Sequence, residues 1–447
     1  MAFSNGSAAA VPLVKRAIEI DPKFAIAHAY LGRLYGDIGE STLSSESLSQ
    51  AYELRGRASD RERFFIAANY DRQVTGNLEK ARETCELWAQ AYPRDAFSHS
   101  FLSGAISVAT GKYETAIEEA HKTIQLDPDL PWGYFNLAAG DVSLGQLDEA
   151  GEAIRRAFER KLEIPALLLT QYEIAFLKGD RTGVERAAAL AAGRTGAEDL
   201  MSDMEGSVLA YSGHLREARR MSQRAEDLAQ QAGQRERSAQ YEAEAAVREA
   251  LFGNRLQACR RAAAALGLSK GRDVEYVTAI ALALCGDSSR SKALASDLET
   301  RFPEDTLVRF NYVPTVRALI ALNYGKPSNA IDLLETARPY ELGFVARDNA
   351  ALVGSLYPVY VRGLAYLAED EGAKAAGEFE KILDHRGIVA ADPVGAVACL
   401  QFGRAFALSR DMNKAKTAYH DFLTFWSNAD PDIPILQRAR VEYAALQ

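Results

Sequence analysis

Twelve places spaced through this chain hold Asn5, Gly39, Gly76, Gly111, Gly145, Gly179, Gly213, Gly253, Gly286, Gly325, Asp370 and Arg410, nine of them glycine. With 32 glycines in 447 residues, about one would fall there by chance. Five residues after each place stands a small side chain: Ala10, Ser44, Ala81, Ala116, Ala150, Val184, Ala218, Ala258, Ser291, Ala330, Ala375 and Ala415. From Gly39 to Gly213 the intervals stay between 34 and 37 residues, and beyond Gly213 they loosen to 40, 33, 39, 45 and 40. A period of that length describes a stack of like units, each burying its apolar face against its neighbours. Such a stack escapes the size limit of about 250–300 residues on a single core.

A second column lies seven residues before each place from Gly39 on: Gly32, Asn69, Gly104, Ala138, Tyr172, Gly206, Ala246, Ala279, Ala318, Gly363 and Gly403. Two helices packed closely need small residues where their axes approach, and the two columns supply them on a helix A and a helix B. The glycine between them ends helix A, because a left-handed residue after a helix costs glycine nothing. Pro22, Pro93, Pro128 and Pro303, each twelve residues past the small residue, close helix B, since the residue before proline leaves the α region. The period and columns are those of a tetratricopeptide array, an all-α right-handed superhelix of about eleven helix-turn-helix units. Residues 1–22 supply only a B helix, 23–230 a regular array, and 231–447 a looser one ending in a capping helix over 432–447. Gln230–Glu249 predicts elongated helices, whereas Arg338–Leu356 and His385–Val394 carry turn-forming breakers and read as loops.

The lone B helix exposes Val11, Leu13, Val14, Ala17 and Ile18 at helical spacing. A missing upstream helix or a second copy in a homodimer would cover them, which marks the chain as derived from something longer. The formal net charge of −9 argues against nucleic acid as a partner, since binding it needs clustered Lys and Arg. No apolar run is long enough to span a membrane, and the first residues lack the pattern of a signal peptide. Cys85, Cys259, Cys285 and Cys399 lie far apart without a CxxC pair, so four free buried thiols in a reducing cytoplasm are expected.

Four segments carry a family resemblance: SDRERFFIAANYDRQVTGNLEKA from Ser59, LYPVYVRGLAYL from Leu356, FEKILDHRGIV from Phe379, and FLTFWSNADPDIPILQRARVEYAALQ from Phe422. They resemble the C-terminal repeat region of bacterial eukaryotic-like serine/threonine kinases, of the kind common in acidobacteria. The resemblance implies a region that docks partners or regulates an attached catalytic or DNA-binding domain. The kinase itself is missing from this sequence. It has no Gly-rich loop, VAIK lysine or DFG, and Asp384-His385-Arg386-Gly387 places a glycine where the HRD motif needs its base.

Other chemistry fares no better. The six histidines are scattered singly, and Glu118-x-x-His121 is half of a di-iron pair without its second copy. No P-loop or GxSxG elbow is present. The expectation is a non-catalytic scaffold with no cofactor and no metal, binding a protein or peptide along its concave groove, or else the sensor half of a signalling protein. Groove-facing places on helix A fall 13, 10, 6, 3 and 2 residues before the glycine. They include Arg63, Ile66, Tyr70, Phe101, Trp132, Phe135, Tyr312, Tyr357 and Tyr360, an aromatic lining suited to apolar anchors. The same places can instead pack between neighbouring A helices. A clamp for acidic peptide tails would need Lys and Asn where Phe101, Ala105, Phe135 and Ala139 stand.

Overall fold

The computed structural model describes residues 7–343 and 356–446, and the described residues form helices joined by short turns, with no strand among them. The fold is an α-solenoid of paired helices, and the glycine register is its skeleton. Eleven of the twelve register places lie in the described residues, and all eleven have positive φ: nine glycines, Asp370 at 58° and Arg410 at 62°. Each turn thus reverses the chain through one left-handed residue, a conformation glycine adopts freely and other residues do not. Close approach governs the second column. A Cβ on Gly32 would stand 2.9 Å from the backbone oxygen of Ser44, the small residue of its own repeat. The proline column also acts as expected: helices end at Ile20, Ala91, Leu126 and Arg301, each two residues before its proline.

Among the described residues eleven helix pairs follow the lone helix Ser7–Ile20, and Pro434–Ala444 caps the last of them. The elongated pair is Leu215–Gln231 with Arg235–Leu251, 17 residues each. Of the first expected loop, residues 344–355 lie outside the described part. The second is no surface loop. Gly387 to Ala391 are buried, with a one-turn helix at Arg386–Val389, and Asp392 caps the helix Pro393–Leu408 through the Val394 N–H (2.9 Å).

The chain divides into two compact units. Of the described residues, the first comprises 7–201 and the segment Phe302–Leu307, with Gly343. Its inner helices Ala25–Asp37, Asp60–Gln73, Ala96–Ser100 (continued by a wider π-helical stretch, Phe101–Val108), Pro131–Ser143 and Pro165–Lys178 form a row. Phe302–Leu307 joins this unit through the Thr306 N–H, which donates to the Gly76 carbonyl (3.0 Å).

The second unit is built differently. Its inner helices Arg235–Leu251, Arg272–Cys285, Val313–Asn323, Tyr357–Ala368 and Pro393–Leu408 pack in sequence, and the last touches the first, so they close a ring. Backbone bonds lock the closure: Asp430 N–H donates to Gly213 C=O (3.0 Å) and Ile435 N–H to Phe252 C=O (3.1 Å). The Trp426 indole adds a bond to the Tyr211 carbonyl (3.0 Å) and packs edge-on against Phe252 (5.1 Å).

One expectation is corrected here. Cys259 and Cys285 form a disulfide, because their adjacent helices bring the two Cα atoms to 6.0 Å. Cys85 and Cys399 are the free thiols, pushed up by burial to about 12 and about 11. The thiol argument for a reducing compartment therefore falls away.

Candidate functional site

Of the nine expected groove residues, two are accessible. Arg63 is exposed and Tyr70 half-buried on the helix Asp60–Gln73, which opens with a capping box between Ser59 and Glu62. The Tyr70 ring stacks on Tyr52 at 4.0 Å, and the Arg55 guanidinium lies 3.8 Å from the Tyr52 centroid. Arg55, Tyr52 and Tyr70 thus present cation and rings together, with Arg63 on the helix that carries Tyr70.

Ile66, Phe101, Trp132 and Phe135 are buried in the first unit. Phe101 and Trp132 meet on one cation: Arg33 lies 4.9 Å from the first ring and 5.4 Å from the second, and its Nε bonds Asp37 (3.0 Å). Trp132 meets Phe135 edge-on at 5.7 Å. The structure thus uses these four as packing between neighbouring inner helices.

Tyr312, Tyr357 and Tyr360 are buried inside the second unit's ring. Tyr312 stacks on Tyr276 at 3.6 Å and donates to Asp273 (2.8 Å), while Tyr276 donates to Asn311 (3.1 Å). Tyr357 donates to Asp392 (3.1 Å), and Gln401 donates to the Tyr360 hydroxyl (3.3 Å). The closed ring is filled with its own hydrogen-bonded tyrosines.

This interior also holds carboxyls that the sequence does not single out. Asp203 and Glu244 are fully buried; Arg248 bonds Asp203 (3.3 Å), and burial first, then Asp203, hold Glu244 well above the usual carboxylate range. Glu226 and Glu242 share the Arg261 Nη1, and burial with this like-charged neighbour pushes Glu226 up to about 8. Glu275 and Asp297 likewise share the Arg301 Nη1, at 3.1 and 3.0 Å, and burial pushes Glu275 up to about 8. In both triads two carboxyls compete for one guanidinium, so one of them keeps a proton near neutral pH. The helix Arg235–Leu251, rich in Arg and Glu, is part of this interior: every residue from Glu236 to Leu251 is buried.

The insertion at His385–Val394 feeds the same interior. Ala390 sits at φ 50°, ψ −120°, a conformation that L side chains rarely adopt. It precedes Asp392, whose charge acts on Tyr357, Tyr276 and Glu244.

The first unit has, in addition, a cleft of about 530 Å³ between the helices Leu147–Glu159, Pro165–Lys178 and Arg181–Ala191. Its floor is apolar, from Ile154, Phe158, Ile174 and Ala175, and its rim is charged, from Arg155, Glu159, Lys178, Asp180 and Arg186. No group of three or more His, Cys, Asp or Glu suited to a metal ion occurs among the described residues, and no described helix is long and apolar enough to cross a membrane.

No protein-family model matches this chain, and neither does any curated protein. Solved structures do. The crystal structure of yeast Tom70 is 12% identical over 83% of this chain and 92% of its own, with a TM-score of 0.36. The Cut9–Hcn1 hetero-tetramer of APC/C is 12% identical over 98% and 86%, with a TM-score of 0.42. A tetratricopeptide repeat protein from Parabacteroides merdae ATCC 43184 is 13% identical over 77% and 98%, with a TM-score of 0.27. These are likenesses of fold.

Proposed function

We propose that this protein is a non-catalytic scaffold that binds a protein or peptide partner. The observation that carries the reading is the Arg55–Tyr52–Tyr70 stack with exposed Arg63: cation and aromatic groups left half-open where the other expected groove aromatics are buried. Tyrosine and arginine are enriched among the few residues that carry most of an interface's binding energy. Groove binding then falls to the first unit, at Arg63 and Tyr70. Ile66, Phe101, Trp132 and Phe135 act behind it, as packing of the first unit, while Tyr312, Tyr357 and Tyr360 pack inside the second unit and take no part in it.

Capture of partners from lysate of the source cell tests this, comparing the wild type with Arg63→Ala/Tyr70→Ala. A partner held by the wild type and lost by the variant, with helical content and melting unchanged, supports the reading. A partner held equally by both overturns the placement, and capture of no protein by either overturns the scaffold.

A further inference from the structure

The cleft on the first unit has features that packing alone does not explain. Gly151 lies in the middle of the helix Leu147–Glu159, where glycine costs about 1 kcal/mol relative to alanine. A Cβ there would meet no atom within 4 Å, so no neighbour forces the glycine. Its effect is to leave the floor of Ile154, Phe158, Ile174 and Ala175 open. The cleft's 530 Å³ falls within the roughly 300–1,000 Å³ of sites that enclose small ligands and peptide anchors.

The rim is asymmetric in charge. Arg155 is neutralised by Glu152 (2.5 Å) and Glu159, and Lys178 by Asp148 (2.6 Å). Asp180 caps its own helix at the Gly183 N–H (3.0 Å). Arg186 is exposed and has no hydrogen-bond or ion-pair partner among the described residues. On a chain of net charge −9, the cleft therefore ends in one unspent cation above an apolar floor.

We propose that this cleft docks an acidic peptide: an apolar side chain of leucine size enters the space beside Gly151, and a flanking carboxylate pairs with Arg186. The proposal rests on the scaffold reading and names a partner class for it, at a surface separate from Arg63 and Tyr70. The geometry is that of an anchor residue with a charge that sets its register.

The test uses the full chain and two dye-labelled probes of equal shape, acetyl-Asp-Leu-Leu-Asp amide and acetyl-Asn-Leu-Leu-Asn amide, followed by fluorescence polarisation. The acidic probe is expected to bind about fivefold tighter than the neutral one, the effect of one exposed ion pair. Arg186→Gln should erase that difference without touching the neutral probe. Gly151→Leu should weaken both probes about tenfold or more by filling the floor, while the melting temperature holds or rises, because leucine favours the helix. Binding of neither probe, equal binding of both, or wild-type binding by Gly151→Leu would each overturn the proposal. If lysate partners remain dependent on Arg63 and Tyr70 when both probes fail, the cleft alone is wrong; if capture also vanishes, the scaffold reading falls with it.

Discussion

The same repeat builds two interiors of opposite chemistry. In the first unit the inner helices form a row whose buried contacts are rings and guanidinium faces, as where Arg33 meets Phe101 and Trp132. In the second they close a ring around tyrosine hydroxyls and carboxyls, among which Glu244 is fully buried. A solenoid normally keeps its inner face for ligands. The second unit spends that face on itself, and the first retains half-open aromatic groups and a cleft.

This contrast can be broken experimentally, most forcefully at the ring closure. Trp426→Ala removes a fully buried indole and should cost about 3–5 kcal/mol. Hydrogen exchange should accelerate both near Phe422 and near Tyr211, over 200 residues away, because the indole ties the two together. Trp88→Ala, an equally buried tryptophan of the first unit, should loosen only the packing around Phe65 and Phe101. Exchange confined to one segment in Trp426→Ala would mean the ring is not energetically closed.

Next in size is the disulfide. Linking residues 26 apart, it should stabilise by about 3.5 kcal/mol through the unfolded chain. Cys259→Ser/Cys285→Ser should lower the second unit's unfolding free energy in urea titration by that amount. A reducing agent should then have no further effect.

Acidity separates the units more finely. Glu226 and Glu275, near 8 when folded, bind protons that the unfolded chain releases near the ordinary 4.5. Their contribution is fully present below that ordinary value and is lost as pH rises through about 8. Between pH 6 and 8.5 the second unit should lose about 2 kcal/mol per group, read by Trp426 fluorescence in a Trp88→Phe/Trp132→Phe background. Asp141 of the first unit, pushed by burial only to about 6, should have released most of its proton before pH 7. Glu226→Gln, which keeps an acceptor for Arg261, should stabilise by about 1–2 kcal/mol at pH 8.5 and leave pH 5.5 unchanged. An unchanged pH slope would refute the shared-guanidinium account.

The smallest effect concerns the register itself. Asp370→Gly and Arg410→Gly relieve left-handed backbone at exposed turns, and each should stabilise by about 0.5–1 kcal/mol, measured by thermal melting.

These turns also show what was legible beforehand. Fold class and repeat boundaries depend on backbone sterics at single residues, so glycine, small side chains and proline betray them directly. Asp370 and Arg410 occupy glycine places, and the spacing alone revealed them. The candidate site was less legible, because burial is decided by what packs on top. Tyr70 and Tyr357 hold equivalent kinds of place, yet one is half-open and the other sealed by ring closure. The same closure buries Arg235–Leu251 despite its polar sequence, and no pattern within that helix announces it. Cys259 and Cys285 stand 26 residues apart with no motif between them, and only adjacent helices make them partners. Within the expected capping helix, Glu442 is tied inward, accepting from Arg404 (2.9 Å) and Tyr419 (2.8 Å).

The bonds from Asp430 and Ile435 to Gly213 and Phe252 also set a timetable. Stacked repeats can settle one after another as they leave the ribosome, each needing only its predecessor. The second unit cannot: its ring lacks a keystone until residue 435 has been synthesised. Until Pro393–Leu408 has been made, the helix Arg235–Leu251 lacks the last neighbour that closes the ring against it. Completion of this half must wait for Ile435, and a chain stalled short of it would carry an unfinished circle.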